Sequence, residues 1–219
     1  MKLYDTQRSG NAWKVRLLAG FLGLPLTRVT LSIDKGDLRR PDFLRIAPLA
    51  QVPLLQTDDG AHLGESMAIL FHLAQNSPWW PADPSAQARV LSWLSFEQDR
   101  HMRPLANLRL HHGLKRLPDA AAQDVQRWTR EAQEALAVMD IHLSSGPSRW
   151  IATPEVPSIA DVALYPYTRM ATMGRIDLSA FEHVEHWLGR LEGLRGYQYL
   201  FPDIPHSNLM TTETGGHRP

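Results

Sequence analysis

An α/β half followed by an all-helical half is the fold class this sequence predicts, on three observations. Up to residue 76, short β-branched or apolar runs alternate with amphipathic helical stretches. A segment rich in proline and tryptophan, SPWWPADPS, interrupts the pattern at 77–85, and beyond it apolar residues recur almost only at helical spacing. The change of composition marks two domains of different class, 1–77 and 86–219, with 78–85 as linker and 211–219, which has no apolar pattern, as a flexible tail.

The chain opens on a short strand from Leu3, followed by a polar loop carrying Ser9, Gly10 and Asn11. A helix follows whose Val15, Leu18, Ala19 and Leu22 keep the helical period, and Gly23 and Pro25 stop it. Thr27 to Ile33 is β-branched and apolar, a second strand, so the first two strands are parallel and joined by a right-handed crossover. Asp34 to Pro48 is polar, basic and broken by prolines, with Phe43, Leu44 and Ile46 anchoring a short irregular helix. Val52 to Thr57 reads as a strand, Asp59-Gly60 as a hairpin turn, and Ala61 to Leu63 as its antiparallel return. Glu65 to Ala74 is a helix that buries Ile69, Leu70 and Leu73. The order βαβαββα is the thioredoxin-like arrangement, a four-stranded mixed sheet with helices on both faces. Val52-Pro53 falls at the start of the third strand, where the donor that proline lacks is not needed.

In the second half, Ala86 to Gly113 carries Leu91, Leu94, Met102, Leu105 and Leu108 in one stripe with Gln98 filling a position, and Pro104 predicts a kink. From about Asp119 a longer helix runs to near Gly146 with the stripe Val125, Trp128, Ala132, Leu136, Met139 and Leu143. Ser158-Ile-Ala-Asp161 is a capping box ahead of an apolar run through Tyr167, apolar nearly all round and so the buried axle of this half. Phe181, Val184, Trp187, Leu188 and Leu191 define one further amphipathic helix.

Composition narrows the function. Lys plus Arg and Asp plus Glu both number 23, so no net field favours nucleic acid or an anionic membrane as partner. Absence of cysteine excludes disulfides, thiolate metal sites and a protein thiol nucleophile, so any sulfur chemistry uses a ligand's thiol. No membrane-length apolar run and no basic-then-apolar leader pattern is present, so the expected location is cytoplasmic. Ten histidines raise the metal question, but His111 and His112 are adjacent and diverge on a helix, and His183 and His186 lack a third partner; no metal is expected.

Ser9-Gly10-Asn11 at a helix start combines free backbone N–H groups, two short polar side chains and the positive end of a helix dipole. Such a loop suits an anion, although taken alone a helix cap by Ser9 or Asn11 is what such residues most often supply at this position.

SGNAWKVRLL, QVPLL followed by GESMAIL, and SIADVALY together resemble a glutathione transferase over nearly the whole chain, with the opening closest to the bacterial serine-type, theta-like or nu-like branches. The resemblance implies glutathione as co-substrate, a small electrophile as second substrate, a role in detoxification and a homodimer. It implies that Gln51, Val52 and Pro53 meet the cysteinyl part of the tripeptide and that Glu65 and Ser66 bind its γ-glutamyl end. Lys35, with Arg39 and Arg40 as alternatives, would take the glycine carboxylate. Ser9 or Asn11 would donate to the thiolate, with Tyr4 the competitor that other branches use. Trp13, Arg100, His101, Met102 and Arg103 would border the second substrate. Two departures stand out: Ala47-Pro48 where the family often has Asn-Pro, and Trp13 where this branch often has tyrosine. Reduction of small disulfides by glutathione, and a binding or regulatory protein without turnover, are the alternative outcomes.

Overall fold

A computed structural model describes residues 1–145 and 149–201. The expected tail at 211–219 and the helix end near Gly146 lie outside the described residues.

The first half contains β1 (Lys2–Asp5), α1 (Gly10–Leu22), β2 (Thr27–Thr30), α2 (Pro41–Leu44), β3 (Leu54–Gln56), β4 (His62–Leu63) and α3 (Ser66–Ala74). The strands lie in the order β2-β1-β3-β4, with β2 parallel to β1 and β3 and β4 antiparallel. This is the thioredoxin-like sheet that the element order predicts. The strands are shorter than expected. β2 stops at Thr30 because the next chain turns: the Ser32 N–H goes to Asp37 Oδ2 at 2.8 Å rather than to the ladder. β3 begins at Leu54, after a cis Val52-Pro53 peptide.

Helix α1 is buried on almost every face from Gly10 to Ala19 because it lies between α3 and the second half. Ser9 caps it, accepting from the Ala12 N–H at 3.1 Å, and Gly23 ends it at φ 66°, a conformation that costs glycine nothing. A small cluster of Phe43, Ala47 and Leu54 with Tyr4 fills the other face of the sheet.

The second half contains α4 (Pro84–Phe96), α5 (Met102–Leu108), α6 (Ala122–Ser144), α7 (Ile159–Arg169) and α8 (Glu182–Glu192). Wide π turns at 97–101 and 109–113 flank α5. The bend expected at Pro104 is resolved by the first of them. There the Met102 N–H reaches back five residues to the Glu97 carbonyl, which loosens the turn that the proline ring would otherwise crowd. The buried stripe along α4 and α5 is then Val90, Leu94, Glu97, His101, Leu105 and Leu108. Leu91, expected inside, is 54% exposed, and Glu97 holds the place assigned to Gln98.

Helix α7 is the axle of this half: every residue from Ile159 to Thr168 is buried, and the Ser158–Asp161 capping box is formed. Helix α6 begins at Ala122, after the expected Asp119. The 78–85 segment is pinned: Trp79 stacks on Phe21 at 4.9 Å, its carbonyl accepts from the Ile159 N–H at 3.0 Å, and Asp83 already caps α4. One continuous core runs from Leu3 and Leu55 through α1 into α7 and α8, so the two halves share their packing. No helix among the described residues is long and apolar enough to cross a membrane.

Candidate functional site

A cleft of about 750 Å3 opens between the halves at the start of α1. Its α/β wall includes Ser9, Gly10 and Asn11, then Gln51 and Val52, then Glu65; its helical wall includes Gln98, Met102, Arg109, Arg116 and Tyr167. Segments distant in sequence, from Ser9 to Tyr167, thus converge on one helix N-terminus.

Each of the first group is placed by its local chain. The Ser9 hydroxyl accepts from α1, which leaves its own proton free to point elsewhere. The first N–H groups of α1 have no acceptor within the helix and add the positive dipole end. Asn11 borders the cleft, and its Oδ1 is buried without a hydrogen-bond partner. Both alternatives for the opening loop are therefore realised together: Ser9 caps the helix and the loop faces a cavity.

Val52 precedes the cis peptide and Gln51 is exposed beside it; Pro53 itself is buried behind them. Glu65 stands at φ 61° ahead of α3 and makes no side-chain cap bond, so helix capping does not account for it. Ala50, also in the wall, has φ 52°. Such conformations cost about 1–3 kcal/mol in residues other than glycine and gather at ligand sites. Ser66 is buried at the first position of α3.

Gly10 permits the floor. A Cβ there would lie 2.8 Å from Met170 Cε and 2.9 Å from Tyr167 Cζ, so α7 touches the backbone of α1. Beneath, Lys14 and Glu97 form a fully buried ion pair, with Nζ donating to Oε1 at 2.7 Å and lying 5.5 Å from the centre of the Tyr167 ring. The other Glu97 oxygen accepts from Gln98 Nε2 at 2.7 Å, which ties the pair to a cleft residue. Burial pushes the Lys14 ammonium down from its ordinary pKa, and the Glu97 carboxylate opposes that. Burial raises the Tyr167 phenol to about 12, so it stays protonated.

Several expected residues lie elsewhere. Trp13 is wholly buried, its indole donating to the Gln198 carbonyl at 2.7 Å, and does not border the cleft. Its spacing on α1 turns it toward α7, where Tyr165 meets it edge-on at 5.4 Å. His101 is also fully buried, with Nε2 at 2.8 Å from Thr168 Oγ1. Arg103 and Arg100 line a separate cavity of about 580 Å3 between the 96–104 stretch and α6. Lys35, Arg39 and Arg40 are exposed outside the cleft, and Arg40 pairs with Asp42 at 3.2 Å. Tyr4 packs on Phe43 behind the sheet.

The cations that do border the cleft are Arg8, Arg109 and Arg116, none of them singled out by the sequence. Arg116 Nη2 reaches Asp34 Oδ1 at 2.7 Å, joining the two walls across 82 residues of chain. Sequence analysis places Gln98 on the inward stripe, so Glu97 was missed. No group of three His, Cys, Asp or Glu side chains converges to hold a metal among the described residues.

Residues 8–76 match the Glutathione S-transferase N-terminal domain. The chain is 30% identical to the disulfide-bond oxidoreductase YfcG of Escherichia coli (strain K12), over 83% of this chain and 85% of that protein. A glutathione S-transferase from Pseudomonas fluorescens superposes with a TM-score of 0.85 at 34% identity, covering 91% of this chain and 98% of the other. A possible glutathione S-transferase from Rhodopseudomonas palustris gives 0.84 at 36% identity, covering 93% and 98%. On fold, sequence match and overall likeness alike, the chain belongs to the glutathione transferase family.

Proposed function

We propose that the cleft binds glutathione and that the chain activates its thiol for attack on a small electrophile. The observation that carries this reading is the meeting, in one cavity, of the Ser9 hydroxyl and Asn11 amide at a helix N-terminus with the Val52 backbone and the uncapping Glu65. Glu65 suits an α-ammonium, the start of α3 an α-carboxylate, and Val52 an extended cysteinyl backbone. The sulfur then lies at the start of α1, where donation from Ser9 and Asn11 favours thiolate over thiol and raises the nucleophile's population at neutral pH. The attack forms a C–S bond, the electrophile's leaving group departs with its electron pair, and the thiol proton goes to solvent. Lys35 is not used in this reading; Arg8, Arg109 or Arg116 supplies the positive charge.

Calorimetry with glutathione tests binding first, and no heat at millimolar ligand removes the reading. Replacing Ser9 or Asn11 by alanine should then lower kcat/KM about 10- to 100-fold and raise the pKa of the bound thiol by about one unit, with Kd for glutathione changed little. Unchanged rates in both variants would move the thiolate role elsewhere.

Likeness to YfcG, whose name is disulfide-bond oxidoreductase, supports a second reading: reduction of a small disulfide, with both thiols from ligands since the chain has no cysteine. Parallel assays with an aryl halide and with 2-hydroxyethyl disulfide separate the two, and binding without either turnover leaves a glutathione-binding protein. A homodimer is proposed on likeness to the family alone, and light scattering tests it.

A further inference from the structure

Helix α7 carries three hydroxyls near its end, on Tyr165, Tyr167 and Thr168, and the fold uses two of them. Tyr165 Oη meets Glu192 Oε1 at 2.8 Å and Tyr197 Oη at 2.6 Å, and Thr168 Oγ1 meets the Leu164 carbonyl at 2.9 Å and His101 Nε2 at 2.8 Å. Tyr167 differs. It is only 9% exposed, and its hydroxyl makes no hydrogen bond to another described residue. Its oxygen is nevertheless not one of the enclosed, unpaired polar atoms, and the residue borders the cleft, so the hydroxyl opens there. Phenylalanine would fill the same space, whereas a hydroxyl held out of bulk water costs stability unless a partner arrives to complete it.

The ring is fixed at the start of α1. A Cβ on Gly10 would lie 2.9 Å from Tyr167 Cζ, the carbon that bears the hydroxyl. Cβ directions on a helix tilt toward its N-terminus, so this carbon stands beside the mouth of α1, at the residue between Ser9 and Asn11. Lys14, one turn further along the same face, holds the ring as well: its Nζ lies 5.5 Å from the ring centre and is itself pinned by Glu97 at 2.7 Å. The charged groups around the phenol are Lys14, Glu97 and Arg109. Burial outweighs the Arg109 charge and raises the phenol to about 12, so near neutral pH it is a donor and not a base.

We infer that Tyr167 is a further catalytic residue, its hydroxyl donating a hydrogen bond to the glutathione sulfur from the helical half while Ser9 and Asn11 donate from the α/β half. The inference rests on the glutathione reading of the cleft. A donor held in a partly dehydrated site stabilises the thiolate more than water does, which lowers the thiol pKa. The phenol keeps its proton throughout: the thiol proton goes to solvent, the thiolate forms the C–S bond, and the leaving group departs with its electron pair.

Tyr167→Phe removes the hydroxyl and keeps the ring. The pKa of the bound thiol, read from the ultraviolet absorbance of the thiolate against a blank without glutathione, should rise by about one unit. Below that pKa, kcat/KM for 1-chloro-2,4-dinitrobenzene at saturating glutathione should fall about five- to tenfold, with KM for the halide unchanged. S-methylglutathione, which has no thiol proton to lose, should bind parent and variant equally in calorimetry. The urea midpoint should be unchanged or higher, because no bond within the protein is lost.

Glutathione that does not bind the parent overturns the site reading and this inference together. Glutathione that binds Tyr167→Phe with an unchanged thiol pKa overturns this inference alone, and a shifted pKa in Ser9→Ala or Asn11→Ala then leaves the glutathione reading standing. A slower variant with an unchanged thiol pKa assigns the hydroxyl to the second substrate, and a lowered urea midpoint assigns it to the fold; either overturns the role at sulfur.

Discussion

Asp161 at the start of α7 and Glu97 beneath the cleft are both fully buried carboxylates, and their surroundings differ. Asp161 Oδ1 accepts from the Ile151 N–H at 2.8 Å and Trp187 Nε1 at 2.9 Å, and its Oδ2 from the Ser158 N–H at 2.9 Å and the Ser158 hydroxyl at 3.2 Å. Four neutral donors, two of them backbone, surround one charge. Glu97 is held instead by a buried cation from the other half, and nearby Asn11 Oδ1 and His101 Nδ1 are buried without hydrogen bonds. Buried polar groups are nearly always paired, and exceptions tend to mark functional regions. The hub of the helical half is built for stability, whereas the floor of the cleft retains polar groups that packing alone would not keep.

The sharpest way to break that contrast is at Lys14. Lys14→Met leaves the Glu97 carboxylate buried with no countercharge and should cost about 3–5 kcal/mol in urea unfolding. Adding Glu97→Leu removes the orphaned charge and should recover most of the loss, because an ion pair replaced by apolar groups of similar volume is often neutral. Turnover should not recover with it, since Gln98 loses its anchor. A single variant as stable as the parent would mean that the floor is no more demanding than the surface.

Asp161→Asn probes the other side of the comparison. An amide offers one oxygen and one NH2, so two of the four donors lose their acceptor, at about 2–4 kcal/mol in total. No second substitution in the cleft should rescue it, and the Kd for glutathione of the folded fraction should match the parent's. A shift in that Kd would show that the hub reaches the cleft.

The same contrast explains what the sequence discloses. The Ser158–Asp161 box and the apolar run behind it were legible because capping chemistry and burial act within a few residues. The thioredoxin-like order was legible for the same reason, and family motifs linked Val52, Glu65 and the Ser9–Asn11 loop, which border one cleft. Lys14, Glu97, Arg109 and Arg116 were not legible, because their roles depend on which residues from distant segments meet. The inward set Val90, Leu94, Glu97, His101, Leu105 and Leu108 keeps the helical period, but two of its members are polar, and the sequence pattern favours the neighbouring stripe through Leu91, Gln98 and Met102. Trp13 was misread for a related reason, since a helix packed on two sides hides positions that a one-sided helix would show.

The mildest test concerns His101. Thr168 Oγ1 donates to the Leu164 carbonyl at 2.9 Å, so at 2.8 Å from His101 it accepts, which fixes the proton on Nε2 and leaves Nδ1 bare and buried. Burial first, and the Lys14 charge second, push this imidazole from 6.5 down to about 3. In the unfolded chain it protonates near its ordinary value, so between those limits the unfolded state binds more protons and stability falls as pH falls. By about pH 5.5 the loss should approach 1.4 kcal/mol relative to neutral pH, and it should grow by a similar step for each further unit. His101→Leu removes the titration, so unfolding free energies at the two pH values should converge in the variant after its own packing change is subtracted. An unaltered pH dependence would place the acid sensitivity elsewhere and take from the cleft floor one of the groups that distinguishes it from the hub.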